Sequence, residues 1–320
     1  MSAQNDESQG AGSASAPITV VGSANQDYLL RVEASPSPGE TVLAHGMRKN
    51  PGGKGANQAV AAARLGGDVR FVGCVGDDDD GALLLRELRA EGVGTSDVEI
   101  ITREHTGLAI VAVDTTGENS IVVVPGANFA LTESRVTRVV RRDAAGGVVV
   151  LQAEVQPRII AGAVAAADDA GARVVLNLAP FVALAADVVA ACDPLVVNES
   201  EASAMTGLPV STLDDAHAAA GELLGRARSV VITLGARGAV WADGDGTGHV
   251  PAPALDRVVD TTGAGDAFVG ALAVRLSEGA ALEDAVELGV RAGTYSVARE
   301  GAQSSYAMAA DLRHAEARTA

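Results

Sequence analysis

Val259-Asp260-Thr261-Thr262-Gly263-Ala264-Gly265-Asp266-Ala267-Phe268 sets two glycines, a carboxylate and the start of an apolar, Ala-rich run within ten residues. The run reads as a helix, which places Gly263 and Gly265 at its start. Bare α-carbons there leave the unpaired first-turn N–H groups open to a ligand, and the positive end of the helix dipole favours an anion. Asp266 falls in the first turn, where a carboxylate is also stabilised. Taken alone, the segment fits two readings: an anion hole with a general base at its rim, or an acidic helix cap after a glycine turn.

Around this stretch the chain alternates strand and helix. Ile18-Thr19-Val20-Val21-Gly22 is a short β-branched strand, followed by the polar Ser23-Ala24-Asn25-Gln26-Asp27. Leu29 to Lys49 holds Pro36, Pro38 and Gly39 and reads as short strands and turns of a small appendage. Pro51-Gly52-Gly53-Lys54-Gly55-Ala56-Asn57-Gln58 opens an Ala-rich helix to about Leu65. Its glycines are expected to let a ligand approach the backbone, with Lys54 and Asn57 as donors. It is not a Walker A loop, because no Ser or Thr follows Lys54.

Val69 to Gly76 reads as one strand, and Asp77-Asp78-Asp79-Asp80 as the acidic start of the next helix rather than a metal site. Thr106–Val113 and Ser120–Val124 read as a β-hairpin turning at 114–119, in the same small β-layer as residues 29–49. Strands then end at Gln152-Ala153-Glu154, Asn177, Asn198 and Thr233. Asn198 also suits the cap of the helix that follows it. Two short strands precede the opening motif, and two helices (about 264–277 and 281–298) follow it. This order predicts an α/β fold, a mostly parallel sheet with helices on both faces. Polar residues recurring at strand C-terminal ends predict a binding cleft along that edge.

Composition excludes several classes. The 320 residues are 48% hydrophobic but only 2% aromatic, and the formal net charge is −17. A nucleic-acid partner is not expected, because the field repels polyanions and no aromatic platform exists for bases. No apolar run is long enough for a membrane span. Cys74 and Cys192 are far apart and read as buried thiols of a reducing compartment, and the five histidines form no zinc pattern. Residues 1–16 are small and polar and read as a disordered tail without a signal sequence. A cytoplasmic setting follows from these expectations.

Taken together these segments resemble the ribokinase family of carbohydrate kinases, from about Ile18 to Ser305. The likeness is carried by Gly22–Asp27, Pro38–Thr41, Gly52–Ala59, Asn198–Glu201, Thr233–Gly238, Asp260–Asp266 and Gly301–Gln303. The resemblance implies a three-layer αβα domain over residues 17–320, with a β-sheet lid from segments 26–49 and 106–124. It implies ATP-dependent phosphorylation of D-ribose at O5. Asn25, Asp27, Gly53, Lys54, Gly55, Ala56, Asn57 and Glu154 would hold the sugar. Asp266 would take its proton, and Gly263, Ala264 and Gly265 would form the anion hole.

The same resemblance puts Thr233, Leu234, Gly235, Ala236, Arg237 and Gly238 on the nucleotide. Asn198 and Glu201 would hold Mg²⁺ through water. Asp260, Thr262, Ser296, Arg299, Gly301 and Ser305 would surround a potassium ion, and the lid would form a homodimer contact. Val290 and Ser304 depart from residues common in relatives near the adenine and in the cation loop. Rival substrates are 2-deoxyribose, fructose, other pentoses or a nucleoside such as adenosine. A non-catalytic sugar sensor would not need Asp266 beside intact glycines, and a nicotinamide enzyme would need a G-x-G-x-x-G turn after a strand.

Overall fold

The computed structural model describes residues 15–115 and 119–313. Residues 1–14 of the polar tail and Thr116-Gly117-Glu118 of the 114–119 turn lie outside the described residues. The first half runs β1 (Ile18–Val21), β2 (Asn25–Arg31), β3 (Gly46–Gly52), α1 (Lys54–Arg64), β4 (Val69–Val72), β5 (Cys74–Gly76), α2 (Asp79–Ala90), β6 (Glu99–Ile101), β7 (Gly107–Val113), β8 (Asn119–Val124) and α3 (Glu133–Asp143). The second half runs β9 (Val148–Gln152), α4 (Pro157–Asp169), β10 (Arg173–Asn177), α5 (Ala186–Ala190), β11 (Cys192–Asn198), α6 (Glu199–Thr206), α7 (Leu213–Leu224), β12 (Val230–Thr233), β13 (Ala239–Ala242), β14 (Thr247–Val250), α8 (Ala264–Ser277) and α9 (Leu282–Val297).

The central sheet has the order β14-β13-β12-β11-β10-β9-β1-β4. From β12 to β4 every pairing is parallel, while β12–β13 and β13–β14 are antiparallel. Both faces are buried, which is why these strands read as continuous Val, Ile and Leu. Val149 and Leu151 of β9 enter one core with α3, α4 and α7; Val148 and Val150 enter the other with α1, α2, α8 and α9. α8 is apolar nearly all round because it lies between α1 and α9 as well as on the sheet. Gly270 makes this possible: a Cβ there would lie 2.6 Å from the Ala61 Cβ and 2.9 Å from the Gln58 carbonyl oxygen. The close approach brings the start of α8 against the start of α1.

A second sheet, β3-β2-β7-β8, stands apart from the first. β2 and β3 pair antiparallel, β2 and β7 parallel, and β7 and β8 as the expected hairpin. β2 begins at Asn25 and β3 ends at Gly52, so both sugar-site candidates Asn25 and Asp27 belong to this lid sheet rather than to the end of β1.

One expectation needs correction: residues 69–76 are two strands. β4 joins the central sheet, whereas β5 pairs with β6 in a separate two-stranded sheet. The break is at Gly73, where a Cβ would stand 2.8 Å from both the Gly22 carbonyl oxygen and the Phe71 ring. Only a bare α-carbon fits that close turn.

In sequence the chain goes from β1 to β4 on one side and later to β9 on the other. The order therefore reverses at β1, and such a switch point leaves a crevice at the strands' carboxyl ends.

Candidate active site

The strand ends meet as a polar row at this crevice. Thr233 and Asn198 are register partners on neighbouring strands, as are Asn177 and Gln152. Beyond β1, the Ser23 hydroxyl donates to Glu154 Oε2 at 2.6 Å, joining the segments that follow β1 and β9. The same oxygen accepts the Lys54 backbone N–H at 3.0 Å, so Glu154 also receives the first N–H of α1. Asn25 is 3% exposed and its side-chain Oδ1 accepts from Asn128 Nδ2 at 2.8 Å. Its own amide nitrogen is thus the end suited to a ligand.

The glycines of the first motif pack closely against the chain. A Cβ on Gly52 would lie 2.2 Å from an Asp27 carboxylate oxygen, and one on Gly55 2.7 Å from the Ser23 nitrogen. Gly53, at φ +88°, would meet the Asn25 nitrogen at 2.7 Å. These bare α-carbons let the loop pack onto the β1–β2 turn. The result is that Asp27, Lys54 and Glu154 are drawn together.

Asp266 sits at the first turn of α8 and is 6% exposed. Asn57 Nδ2 donates to its Oδ2 at 3.0 Å and Gln58 Nε2 to its Oδ1 at 2.9 Å. Burial pushes its pKa up; the Lys54 charge and the two amide bonds pull against this, and Glu154 adds to the rise. Lys54 is held charged, its pKa raised above the usual lysine range chiefly by Asp266, against burial and with help from Glu154, Glu201 and Asp27. Asp27 is pushed up to about 7, first by burial, then by the charges of Glu154 and Asp266, with Lys54 opposing. One ammonium group therefore serves four carboxylates.

At the α8 start the two glycines differ. Gly263 has φ +74°, and a Cβ there would lie 2.5 Å from the Tyr306 hydroxyl. That hydroxyl is buried and finds no partner among the described residues. A Cβ on Gly265 would meet nothing within 4 Å, so open space lies directly over its backbone. The Ala264 N–H makes a long turn bond of 3.3 Å to the Thr261 carbonyl.

Asn198 caps α6 in a reciprocal box: its Oδ1 accepts the Glu201 N–H at 2.9 Å, and Glu201 Oε2 accepts the Asn198 N–H at 2.8 Å. Burial pushes the Glu201 carboxyl up, opposed by the Asn198 N–H and by Lys54. Leu234 leads into a tight turn, Gly235–Arg237, that closes at Gly238 with φ +89°. Arg237 pairs with Glu199 and donates to the Ser211 carbonyl at 2.8 Å, so its guanidinium is tied to α6 and the loop after it.

Asp260 joins two loops, accepting the Thr262 N–H and the Gly301 N–H, each at 2.9 Å. Partial burial would raise its pKa, but the Thr262 hydroxyl and the two N–H groups outweigh it and hold the carboxyl below its ordinary value. Ser296 donates to the Gly293 carbonyl at 2.8 Å and Ser305 to the Ala302 carbonyl at 2.7 Å, leaving both hydroxyl oxygens free to accept. Arg299 stacks on the Tyr295 ring at 3.5 Å. Val290, 5% exposed, belongs to the core of α9. Among the described residues no three His, Cys, Asp or Glu side chains converge as a metal cluster.

Gln58, Gln152, Asn177 and Gln303 were not expected in the site, and each is hydrogen-bonded within one layer of Asp266. Gln58 and Gln303 lie inside motifs the sequence displays, and Gln152 and Asn177 end buried strands. That position was the available signal.

A buried carboxylate at a glycine-opened helix start, facing a polar crevice under a separate sheet, is the arrangement of a phosphoryl-transfer site for an alcohol. The chain belongs to the pfkB family of carbohydrate kinases, whose model matches residues 15–308. It is 36% identical over 298 residues to a ribokinase of Schizosaccharomyces pombe, covering 90% of this chain and 94% of that one. It is also 36% identical over 291 residues to a deoxyribokinase of Salmonella typhi, covering 90% and 95%. The structure of an Arabidopsis thaliana ribokinase complexed with ribose and ATP superposes with a TM-score of 0.87 at 32% identity, covering 94% and 98%.

Proposed function

We propose that the protein transfers the γ-phosphoryl group of ATP to O5 of D-ribose, giving D-ribose 5-phosphate and ADP. The observation that carries this reading is Asp266, buried between two amide donors at the start of α8, with open space over Gly265 beside it. Asn25, Asp27, Asn57 and Glu154, with the Gly53–Asn57 backbone, hold the sugar hydroxyls, since carboxylates and amides can each bridge two of them. Asp266 accepts the O5 proton as O5 bonds to the γ-phosphorus and the bond to the β,γ-bridging oxygen breaks. First-turn N–H groups at Gly263–Gly265 meet the charge on the transferred group, with Gly265 the most open. Thr233–Gly238 line the nucleotide. Closure of the lid sheet excludes water from the site.

Two cations fit the residues present. Asn198 and Glu201 offer only oxygen and amide groups, suited to Mg²⁺ held through its waters, and Mg²⁺ there would neutralise phosphate charge that the lone Lys54 cannot. Asp260 and Thr262 before α8, Ser296 at the end of α9, and Arg299, Gly301 and Ser305 after it offer backbone and side-chain oxygens, among them the two serine hydroxyls; a potassium ion there would add positive charge next to the α8 start. Exposed apolar residues on the lid, among them Met47, Ile121 and Val122, support a homodimer through that sheet. Cys74 and Cys192 are free and buried, their thiols pushed up to about 12 by burial, in keeping with a cytoplasmic enzyme.

Equal identity to a ribokinase and a deoxyribokinase makes 2-deoxyribose the second reading. A coupled ADP-release assay on D-ribose, 2-deoxyribose, fructose and adenosine separates them. Ribose is expected to give the highest kcat/KM; a higher value for any of the others overturns the substrate assignment.

A further inference from the structure

An amide has two ends of nearly the same shape, one a donor and one an acceptor. Asn57 and Gln58 both turn the donor end to Asp266. The carboxylate, an acceptor only, selects those ends, because either side chain rotated by half a turn would set a carbonyl oxygen against it. The carbonyl ends turned away then need donors of their own, and the structure supplies them. Gln303 Nε2 donates to Asn57 Oδ1 at 2.9 Å, and Gln152 Nε2 donates to Gln58 Oε1 at 2.7 Å. Gln58 Nε2 also reaches Asn177 Oδ1 at 3.0 Å. Reversing Asn57 or Gln58 would oppose two donors on one side and two acceptors on the other. Asn57, Gln58, Gln152 and Gln303 are all under a tenth exposed, so water does not offer a substitute.

Two further observations set Gln152 and Gln303 apart from ordinary packing. Gln152 Oε1 is buried with no partner among the described residues, a placement that costs stability. Its space exists because Gly22 has no side chain, for a Cβ there would lie 2.0 Å from that oxygen. Gln303 is held at its backbone by Arg64, which donates to its carbonyl at 2.5 Å while making two bonds to Glu91 at 2.6 and 2.7 Å.

We propose that Gln303 and Gln152 are positioning residues for phosphoryl transfer: they fix the polarity of Asn57 and Gln58, and so the plane of the Asp266 carboxylate and the lone pair left for the substrate hydroxyl. This rests on Asp266 being the general base. Neither glutamine donates to Asp266 itself; each acts through one intervening amide.

The test uses the full chain and the acceptor that the wild type phosphorylates fastest among ribose, 2-deoxyribose, fructose and adenosine. A wrong sugar then overturns the substrate assignment and leaves this inference in force; a wild type inactive on all four overturns both. Gln152→Met keeps length and removes the donor. Its kcat is expected to fall ~10- to 100-fold, with KM for the acceptor within about twofold; the melting temperature is expected to stay close to wild type, because the donor lost by Gln58 Oε1 is offset by removal of the unpaired Gln152 Oε1. Gln303→Met is expected to lose kcat to a similar degree. Where one variant does not fold, the other carries the test. A kcat within about twofold of wild type in the folded variants overturns the inference. So does a fall in kcat that is matched by a fall in melting temperature, which would make these residues packing and not positioning.

Discussion

Asp27, proposed to hold the sugar, is a carboxyl whose charge changes near neutral pH. Burial and the neighbouring Glu154 and Asp266 push it up to about 7, from an ordinary value of 3.8. Below that pH it is a neutral acid and a poorer acceptor for sugar hydroxyls. The expected outcome is a kcat/KM for ribose that rises between pH 6 and 8, with Asp27→Asn removing that rise and raising KM; an identical profile in the variant would contradict the assignment. The sign for stability is opposite. A folded-state pKa above the unfolded one favours the protonated protein, so the cost of Asp27 is absent below about pH 4, grows up to about 7 and is constant above it. Asp27→Asn is therefore expected to gain melting temperature over wild type at pH 8 and little at pH 4.5. Asp27, Asp266 and Asn57 were legible because they sit in local motifs whose chemistry is visible residue by residue. Gln152 and Gln303 were not, because an amide's role depends on its partner, and those partners lie 94 and 246 residues away.

The start of α8 shows how far an element can be read from its own sequence. The glycine pair and the helix following it are plain in Gly263–Phe268, and the observed helix begins at Ala264. The division of labour between the glycines is not, since it depends on Tyr306 and Ala302 packing against Gly263 from the far end of the chain. Gly265→Ala separates folding from function. The methyl group enters open space, and alanine is the better helix former by ~1 kcal/mol, so stability is expected to hold or rise. Turnover is expected to fall by ~10²-fold or more, because the methyl would enter the space proposed for the transferred phosphoryl group. Near-normal kcat in a folded Gly265→Ala enzyme would remove the anion hole from this account. The same limit explains residues 69–76: their apolar run reads as one strand, and the turn at Gly73 is set by contacts with Gly22 and Phe71.

At the scale of the molecule, the parallel sheet and both helix layers were readable from the strand–helix rhythm and the two-faced apolar strands. The pairing of β2 with β7 across the lid was not, because no local pattern specifies a parallel partner 82 residues on. On that lid Ile121 is 55% and Val122 62% exposed. Sedimentation of the wild type is expected to give twice the 32.1 kDa chain mass, and Ile121→Glu to shift it toward the single chain; a wild-type monomer at working concentration would contradict the lid contact. The central claim concerns Asp266, and Asp266→Asn tests it most directly because the amide keeps the shape and removes the base. Ribose 5-phosphate formation is expected to slow by ~10²–10⁴-fold or more while calorimetric titration still shows ribose bound. An unchanged kcat would contradict the account.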